Sequence, residues 1–496
     1  MTTPTAETPS PSTPPTPAAS PVTPSGPTPG TPGLPLPSHA TFDRALNPFD
    51  PVDVVTQASA NRIQELIPIR NGRMNASPFA FYRGAADIMA NDLAKVPHSG
   101  LMAQLCGDAH IANFGIFASP ERRAIFDIND FDETFVGPFE WDVKRLAASV
   151  VVASRHRGFK KADADATVYS AVQSYRRAML DFASKTELEV WYAHVSQDAL
   201  IARIQAENAE LAKRAKTLFV AAETRDSMQA LKKFTDSTGT ERRIISVPPL
   251  IISAKDLPAE QRTFAEETAK RALSAYTATL SSERKHLLAR YHFVDVARKV
   301  VGVGSVGTHA FMVLMQGKSA DDPLFLQIKE AGKSVLDGLA VQGEYSHQGE
   351  RVVAGQRLMQ AHSDIMLGWC TIELQAGPRD FYVRQLRDWK RSPDLETILA
   401  PGLRALARIS GWTLARAHAR SGDAGAIAAY LGEGDQFERA LVDFAQRYAD
   451  QNEQDYAAFS GAIARGDLPS VPVQPDPVGH HPSSSGDKNG KKKKKK

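Results

Sequence analysis

The stretch that most constrains the fold of this chain runs from residue 106 to residue 142 and reads CGDAHIANFGIFASPERRAIFDINDFDETFVGPFEWD. Asp108 is followed five residues later by Asn113. Asp127 comes fourteen residues after that, at the end of an apolar run that predicts a short strand. Carboxylate and amide oxygens are the groups that hold hard metal ions such as Mg²⁺. The stretch therefore predicts a metal and phosphate site, built on loops around one strand.

The second feature is a glycine-rich loop, in which Gly302, Gly304, Ser305 and Gly307 lie between two strand-like runs, and Lys329 ends the next such run. A dinucleotide-binding GxGxxG sequence should open a helix, whereas β-forming residues follow this one. A glycine loop on a hairpin, backed by a lysine on a strand, is typical of a site for nucleotide phosphates. An ordinary hairpin with a surface lysine is the alternative.

Three arginines surround a predicted helix before the first stretch. Ser77-Pro78 predicts the start of this helix, because serine caps a helix and proline fits its first turn. Arg70, Arg73 and Arg83 lie around it. They are either solvated or salt-bridged side chains or contacts for phosphate groups.

The chain divides into five parts by composition. Residues 1–40 hold 13 of the 32 prolines and many threonines, and residues 470–496 end in six lysines, so both are predicted to be disordered tails. Apolar residues at helical spacing predict a mainly helical lobe over 41–296, which carries the metal loop. Residues 297–400 predict a β-rich lobe with an antiparallel sheet, and helices over 401–469 are expected to pack on the helical lobe. The expected fold class is α+β.

Composition argues against several classes of protein. Cys106 and Cys370 are the only cysteines, which gives no disulfide framework and suits a reducing cytoplasm. The N-terminus lacks the pattern of a secretory signal, and no apolar run reaches the ~20 residues of a membrane helix. The formal charge of +3 becomes −3 without residues 487–496, so no specific nucleic-acid surface is predicted. We expect a cytoplasmic protein without a membrane span.

The first stretch resembles the aminoglycoside and choline kinase branch of the kinase-like superfamily. That branch carries H-G-D-x-H-x-x-N, a strand ending I-D-x-x-D, then G-P and an aspartate that opens a helix. The matching residues are Gly107, Asp108, His110, Asn113, Asp127, Asp130, Gly137, Pro138 and Asp142. Cys106 stands where that branch has histidine.

Over most of the folded chain, the segments SPFAFYRGAA, CGDAHIANFG, FDINDFDET, GPFEWDVKRLAASVV, VGVGSVGT and GQRLMQ resemble an uncharacterised bacterial family. By these segments the chain is identified as a member of the domain of unknown function numbered twenty-two fifty-two. The name of that family assigns no reaction.

The kinase resemblance implies a two-lobed fold, ATP and Mg²⁺ as cofactors, and a role for each matching residue. Asp108 would accept or orient the proton of an acceptor hydroxyl, and His110 would hold the catalytic loop by hydrogen bonding. Asn113 and Asp127 would bind Mg²⁺. Asp130 would be a further metal ligand or would cap the next turn.

The resemblance also implies that Lys329 and the amides of the glycine loop hold the nucleotide phosphates. Glu350, on a helix predicted over 348–366, would hold Lys329 in place, with Glu330 and Glu344 as rivals. In kinases the glycine loop precedes the catalytic loop, whereas here it follows. A circularly permuted fold would reconcile the two orders. Residues 411–423, GWTLARAHARSGD, resemble the helix that precedes the catalytic loop in aminoglycoside kinases.

The expected activity is ATP- and Mg²⁺-dependent phosphoryl transfer to an unidentified small-molecule hydroxyl acceptor. A kinase-like protein that transfers the nucleotide part, or that only binds nucleotide, is one alternative. A metallophosphoesterase is another, because the segment GDAH is similar to the metal motifs of that class. The hydrolase needs an upstream D-x-H and a downstream G-N-H, and neither is present in suitable form. Nothing in the sequence selects the acceptor or an oligomeric state.

Overall fold

The computed structural model describes residues 33–46, 48–224, 226–236, 242–300, 302–339, 341–374, 376–386 and 389–472. Helices and antiparallel strands are both present, and helices predominate. The predicted α+β class is therefore confirmed.

The helices of the described residues, in chain order, are α1 (Pro51–Ser59), α2 (Ile67–Met74), α3 (Pro78–Gly84), α4 (Ala86–Leu93), α5 (Phe139–His156), α6 (Lys161–Ala183), α7 (Glu187–Tyr192), α8 (Gln197–Glu207), α9 (Ala209–Glu223), α10 (Ser227–Phe234), α11 (Ala259–Ala278), α12 (Ser282–Leu288), α13 (Gln348–Met359), α14 (Ala400–Ala419), α15 (Ala424–Leu431) and α16 (Gln436–Arg465). None of these described helices has the length and apolar character needed to cross a membrane.

The strands are β1 (Met102–Leu105), β2 (Phe114–Ala118), β3 (Ala124–Ile128), β4 (Phe135–Pro138), β5 (Val195–Ser196), β6 (Thr235–Asp236), β7 (Arg243–Ile244), β8 (Ile251–Ser253), β9 (His292–Lys299), β10 (Ala310–Gln316), β11 (Pro323–Glu330), β12 (Gly368–Leu374) and β13 (Gly377–Gln385). Strands β8 to β13 form one antiparallel sheet in the order β12-β13-β11-β10-β9-β8. The sheet predicted over 297–400 is confirmed as antiparallel, but it begins earlier, with β8 and β9.

Both faces of the large sheet are covered, which explains why its central strands are apolar along most of their length. Val313 and Met315 of β10 face α11 in one apolar cluster. Met312 and Leu314, which alternate with them, face α10 in another. Alternate residues of a strand point to opposite faces, so one strand contributes to both clusters.

The largest apolar core lies among α5, α6, α14 and α16. Val168, Val172 and Met179 of α6 recur at helical spacing and are buried in it. The short sheets β1-β4 and β2-β3-β5 hold the stretch from residue 106 to residue 142 beside this core. The C-terminal helices thus pack on the N-terminal helical part of the chain.

The first described residues pack against the C-terminal helices. Leu36–Ala40 form a 3₁₀-helix, and the ring of buried His39 lies 2.7 Å from the hydroxyl of Tyr430. The disorder predicted over residues 1–40 therefore does not extend to this helix. Residues 1–32 and 473–496 of the two predicted tails lie outside the described residues.

Candidate functional site

A cavity of about 580 Å³ lies between the loops of the stretch from residue 106 to residue 142, which the kinase resemblance implies to be the catalytic stretch, and the glycine loop. The predicted site residues form two constellations, one in the stretch from residue 106 to residue 142 and one made of the glycine loop with Lys329. The cavity lining includes predicted residues from both constellations, namely Asp108, His110, Asn113, Asp130, Gly302, Gly304 and Ser305. Four predicted residues are not part of the lining, namely Asp127, Gly307, Lys329 and Glu350. The structure thus brings the two predicted halves to one cavity and leaves four predicted side chains outside its wall.

The loop from Cys106 to Asn113 is held by the first turn of α5. Both carboxylate oxygens of Asp142 accept backbone hydrogen bonds, from the N–H of Cys106 at 2.8 Å and from that of Gly107 at 3.1 Å. His418 of α14 lies behind this carboxylate, with its Nε2 3.4 Å from Oδ2. Asp142 therefore fixes the loop and does not face the cavity.

Asp108 is an oriented carboxylate at the cavity wall. The Nε of Arg145 donates to its Oδ1 at 2.9 Å, and the guanidinium of Arg145 stacks 3.8 Å from the centre of the Tyr82 ring. The Asp108 side chain retains 18% exposure, whereas Arg145 is buried. A buried partner therefore holds a carboxylate that is still open to a ligand.

His110 is buried beside Asp108 and is neutral at physiological pH. Burial, which the Asp108 carboxylate only partly offsets, lowers the pKa of His110 to about 4. Its Nδ1 has no hydrogen-bond partner among the described residues. The backbone of His110 holds the loop instead, because its N–H donates to the carbonyl of Asp108 and its carbonyl accepts from Asn113, both at 2.8 Å.

Asn113 lines the cavity, and its side-chain amide is held in place by the loop itself. Its Nδ2 donates to the backbone carbonyl of Asp108 at 2.7 Å, which fixes the orientation of the amide. Within the described part of the chain, no hydrogen bond is made to the amide oxygen. Asn113 is therefore placed to offer an oxygen ligand to a cation in the cavity.

Asp127, predicted as a metal ligand, lies outside the cavity wall. Its Oδ1 is 2.5 Å from Nη2 of Arg416 on α14, and its Oδ2 accepts from the N–H of Ala361 at 3.0 Å. Both side chains of the ion pair are almost fully buried. The carboxylate is thus committed to joining β3 to α14, because an unpaired buried charge would be costly.

Asp130 reaches the cavity from the loop that follows β3. Its Oδ1 is buried and has no hydrogen-bond partner among the described residues. Burial alone would raise the pKa of Asp130, but the positive charges of Lys329, Arg384 and Lys390 outweigh burial and hold the pKa below its usual range. Asp130 therefore offers an ionised and unbonded oxygen.

Lys329 is joined to the cavity wall by Asp132. Its Nζ forms an ion pair with Oδ2 of Asp132, and the Tyr382 hydroxyl donates to Oδ1 at 2.7 Å. The hydroxyl of Ser305, in the glycine loop, donates to the same Oδ2 at 3.4 Å. Although burial opposes it, the carboxylates of Asp130 and Asp132 raise the pKa of Lys329. Lys329 thus stays charged directly behind the wall.

Helix α13 contacts this site through an arginine and not through the predicted Glu350. Arg351 donates to the carbonyl of Thr134 at 2.6 Å, and to those of Asp132 and Gly332 at 2.9 Å each. Lys329 is paired with Asp132, and no described contact joins it to Glu350. Residues 129–134, between β3 and β4, form the acidic loop, and Arg351 of α13 supports this loop by bonding its backbone carbonyls.

The glycine loop is anchored by arginines from the N-terminal helical region. Nη1 of Arg62 donates to the carbonyls of Gly304 at 2.6 Å and Val306 at 2.8 Å. Nη1 of Arg73 donates to the carbonyl of Gly302 at 2.5 Å. These carbonyls are therefore turned away from any ligand of the loop. Among the described residues none accepts a bond from the N–H of Gly302 or Gly304, so both stay available to an anion.

Three carboxylates of the cavity were not predicted, namely Asp87, Asp132 and Glu133. Burial raises the pKa of Asp87 and raises that of Glu133 to about 7. The sequence signal that could identify Asp132 is D-F-D, which begins two residues after the end of β3. Alternate residues of an extended segment share a side, so Asp132 could have been placed with Asp130.

Among the described residues, no group of three or more His, Cys, Asp and Glu side chains is arranged to hold a metal ion by itself. A cage made wholly of protein ligands is the arrangement of a tightly bound transition metal. Mg²⁺ bound with a nucleotide needs only one or two carboxylates, because phosphates and waters complete its coordination.

A family model described as an uncharacterized protein conserved in bacteria (DUF2252) matches residues 62–462. No curated protein and no solved structure matches the chain. Both constellations lie inside the matched region. The comparisons add nothing to the resemblance to kinases, so any function has to be inferred from the cavity.

Proposed function

The chain belongs to the bacterial DUF2252 family, whose description states no activity, and from its cavity we propose an ATP- and Mg²⁺-dependent phosphotransferase acting on a small-molecule hydroxyl acceptor. One observation carries the proposal. An aspartate and asparagine loop forms one wall of the cavity, and a glycine loop with a buried lysine behind it forms another. Phosphoryl transfer depends mainly on positioning and charge stabilisation, and these groups supply both.

The residues of the cavity fit a magnesium ion shared with nucleotide phosphates. Asp130 has a buried oxygen without a partner among the described residues, and Asn113 belongs to the lining of the same cavity. Hard oxygen donors of this kind suit Mg²⁺. Asp130 and Asn113 would hold the ion, which would neutralise charge on the phosphate oxygens.

Around the nucleotide, the free N–H groups of the glycine loop would contact the phosphates, and Lys329 would add a positive charge. Lys329 is paired with Asp132 in the structure, so a phosphate oxygen has to share the Lys329 ammonium with Asp132 or displace the Asp132 carboxylate. Asp108 would orient the acceptor hydroxyl, because Arg145 fixes its carboxylate at the cavity wall.

The order of elements supports a permuted kinase-like fold. The glycine loop joins β9 to β10, Lys329 lies on the third successive strand, β11, and α13 follows; the kinase lysine also lies on a third strand. Helix α14 contacts the catalytic stretch through Arg416 and His418. In a permuted chain this helix would precede the catalytic loop.

Thermal unfolding of the full chain with Mg²⁺ and ATP, ADP or a non-hydrolysable analogue tests the proposal. A ligand at 100 times its Kd adds about 2.7 kcal/mol to the free energy of unfolding, so Tm should rise. Lys329→Ala should remove most of this rise. Lys318→Ala, at an exposed lysine in the β10–β11 hairpin, is the matched control and should retain it. If no nucleotide raises Tm, the proposal fails.

ATP labelled at either the α or the γ phosphate distinguishes phosphoryl transfer from nucleotidyl transfer. Incubation with a pool of small hydroxyl compounds should move the γ label to an acceptor. Transfer of the α label instead would favour the nucleotidyl transferase alternative. Tightly bound zinc, manganese or iron after purification, with phosphate ester hydrolysis, would favour the metallophosphoesterase.

A further inference from the structure

The three arginines around α3 have different surroundings. Arg70 is fully buried, and its Nη2 donates to the carbonyl of Gly84 at 2.8 Å. Arg73 donates to the glycine loop at the carbonyl of Gly302. Arg83 lines the cavity, and no described residue accepts a hydrogen bond from its side chain or forms an ion pair with it. Its Nε is buried without a partner.

Arg83 lies between the two constellations. A Cβ placed on Gly304 would be 3.4 Å from the backbone carbonyl of Arg83, so the residue adjoins the glycine loop. Burial lowers the pKa of Arg83, and the carboxylates of Asp108, Glu396 and Asp130 only partly offset this. The side chain is therefore near the catalytic carboxylates but is not neutralised by direct contact with them.

The other basic groups near the cavity are engaged or exposed. Arg62 is bonded to the glycine loop, and Lys329 is paired with Asp132. Nη1 of Arg379 lies 3.7 Å from Glu330, and Lys333 is exposed at the surface. Arg83 thus combines a cavity position, a buried Nε and an unpaired charge.

Arg83 is half-buried, with its Nε buried and unbonded, so its guanidinium is placed to donate to a ligand that enters the cavity. Its planar set of N–H donors matches the paired oxygens of a phosphate or a carboxylate. The face of the Phe79 ring, 5.9 Å from the guanidinium carbon, supports it from one side. We infer that Arg83 binds an anionic group, a phosphate or carboxylate, at the point between the glycine loop and Asp108.

The source of this anion rests on the proposed function. One source is the terminal phosphate of the nucleotide, which would lie at the point of transfer. The other is a phosphate or carboxylate carried by the acceptor, which would make the acceptor an anionic hydroxyl compound. The chemistry recognised by Arg83 is the same in both, and binding measurements separate them.

The test uses the full chain with Arg83→Met, which keeps an apolar stem, and Arg83→Lys, which keeps the charge without the planar donors. Arg439→Met is the matched control, at a side chain on α16 that is 75% exposed. Calorimetry measures the affinity of each protein for Mg·ATP, Mg·ADP and, with Mg·ADP saturating, inorganic phosphate.

If Arg83 binds the terminal phosphate, Arg83→Met should weaken Mg·ATP at least tenfold and change Mg·ADP less than twofold. If it binds the acceptor, both nucleotides should change less than twofold, while inorganic phosphate weakens at least tenfold. Arg83→Lys should fall between Arg83→Met and the parent protein in either case. Changes below twofold for all three ligands would overturn the inference.

A second measurement does not depend on nucleotide. Without ligand, Arg83→Met should not lower Tm, because no described residue accepts a hydrogen bond from the side chain, and it should abolish stabilisation by inorganic phosphate. A lower Tm with phosphate stabilisation retained would overturn the inference even if ATP binds. A protein that binds phosphate through Arg83 but no nucleotide would instead contradict the proposed function and leave the inference standing.

Discussion

Asp127 and Asp130 are three residues apart, and their carboxylates have opposite surroundings. Asp127 is buried against Arg416 and the N–H of Ala361. Asp130 has one oxygen without a partner among the described residues, in the lining of the cavity. One carboxylate is therefore suited to stability and the other to binding.

Asp127→Asn should destabilise the protein by about 3–5 kcal/mol, because it leaves the buried Arg416 without its counter-ion. At low temperature the folded fraction should still bind Mg·ATP. Asp130→Asn should also lose stability, because the positive charges of Lys329, Arg384 and Lys390 favour the ionised carboxylate, but its folded fraction should show no Mg²⁺-dependent nucleotide binding. Urea unfolding and calorimetry on both variants check this. Loss of Mg²⁺-dependent binding in Asp127→Asn but not in Asp130→Asn would contradict it.

The pattern of the sequence could predict the aspartates but not their partners. Asp108 and Asn113, which the spacing selects as site residues, both line the cavity. The same spacing selects Asp127 as a metal ligand, yet Arg416 lies 289 residues further along the chain and engages it. Such a long-range ion pair leaves no local signal, so a sequence motif cannot distinguish a bound carboxylate from a free one.

Glu133 should make stability depend on pH. Burial, with added repulsion from Asp87 and Asp132, raises the pKa of Glu133 from its usual value of 4.5 to about 7. Between pH 4.5 and pH 7 the folded state therefore holds a proton that the unfolded state has lost. The free energy of unfolding should fall as pH rises through this window, by at most about 1.4 kcal/mol per pH unit.

Glu133→Gln should remove this fall, because the amide is neutral throughout and can still accept from the N–H of Val335. His110 acts in the opposite sense, since its pKa of about 4 makes the folded state less stable as pH falls from 6.5 to 4. The difference between variant and parent is therefore the quantity to measure, by urea unfolding at several pH values. Glu260→Gln, at an exposed glutamate, is the control. Parallel curves for Glu133→Gln and the parent would contradict the prediction.

At the scale of elements, the catalytic loop and the acidic loop after β3 touch at Gly107. This residue has a φ of 81°, and a Cβ added to it would lie 2.1 Å from the carbonyl oxygen of Glu133. Any side chain at this position would push the two loops apart. Glycine is therefore needed for both conformation and space, and the geometry of Asp108 relative to Asp130 depends on it.

Gly107→Ala should cost more stability than Gly100→Ala. Gly100 has a similar φ of 79° but nothing within 4 Å of an added Cβ, so its substitution measures backbone strain alone, about 1–2 kcal/mol. Gly107→Ala adds the clash, typically about 1–3 kcal/mol more. Chemical denaturation gives both values, and Mg·ATP affinity should fall for Gly107→Ala only. Equal losses of stability would show that the loops can separate freely.

The ends of helices could be predicted from the sequence where neighbouring residues determine them. Ser77 caps α3 as predicted, with its hydroxyl accepting from the N–H of Ala80. The helix predicted over 348–366 ends earlier, at Met359. The side chain of Gln360 donates to the carbonyl of Ile128 at 2.7 Å, and the N–H of Ala361 bonds Asp127. Contacts with the catalytic stretch end this helix, and local propensity does not reveal them.

At the scale of the whole molecule, the order of the two constellations along the chain does not determine where they lie in space. Residues 227–385 build the large sheet and its covering helices, while the catalytic stretch lies among helices from both ends of the chain. The boundary predicted at residue 297 marks the point where strand-forming residues become frequent in the sequence. The sheet also includes β8 and β9, and it is covered by α10 and α11, although all four elements begin before residue 297. These elements belong to the sheet because they are buried against it, which composition does not reveal.

The described ends of the chain pack on the same helical part. Arg44 pairs with Asp455 of α16 at 2.6 Å, and the N–H of Val471 donates to the carbonyl of Pro68 at 3.0 Å. The two ends lie at opposite ends of α16, because the carbonyl of Leu34 accepts from Tyr430 just before this helix and Val471 follows its last turn. A linker that joins them has to span about 45 Å, the length of the 30 residues of α16. Chain ends at the surface tolerate rejoining there and opening elsewhere. If the fold is a permuted kinase-like one, a second permutation should restore the usual order of motifs without changing the cavity.

We therefore expect a chain opened between residues 224 and 225, with residues 472 and 33 joined by a Gly/Ser linker, to fold and to bind Mg·ATP within about threefold of the unpermuted 33–472 chain. A linker of about 65 residues has a root-mean-square span of about 45 Å, which matches the length of α16. The opening falls between α9 and α10, whereas a control opened between residues 410 and 411 breaks α14, which carries Arg416, and should not fold. Circular dichroism and calorimetry report both outcomes. A folded permutant without nucleotide affinity, beside a parent that binds, would mean that the α9–α10 connection positions the glycine loop against the catalytic loop.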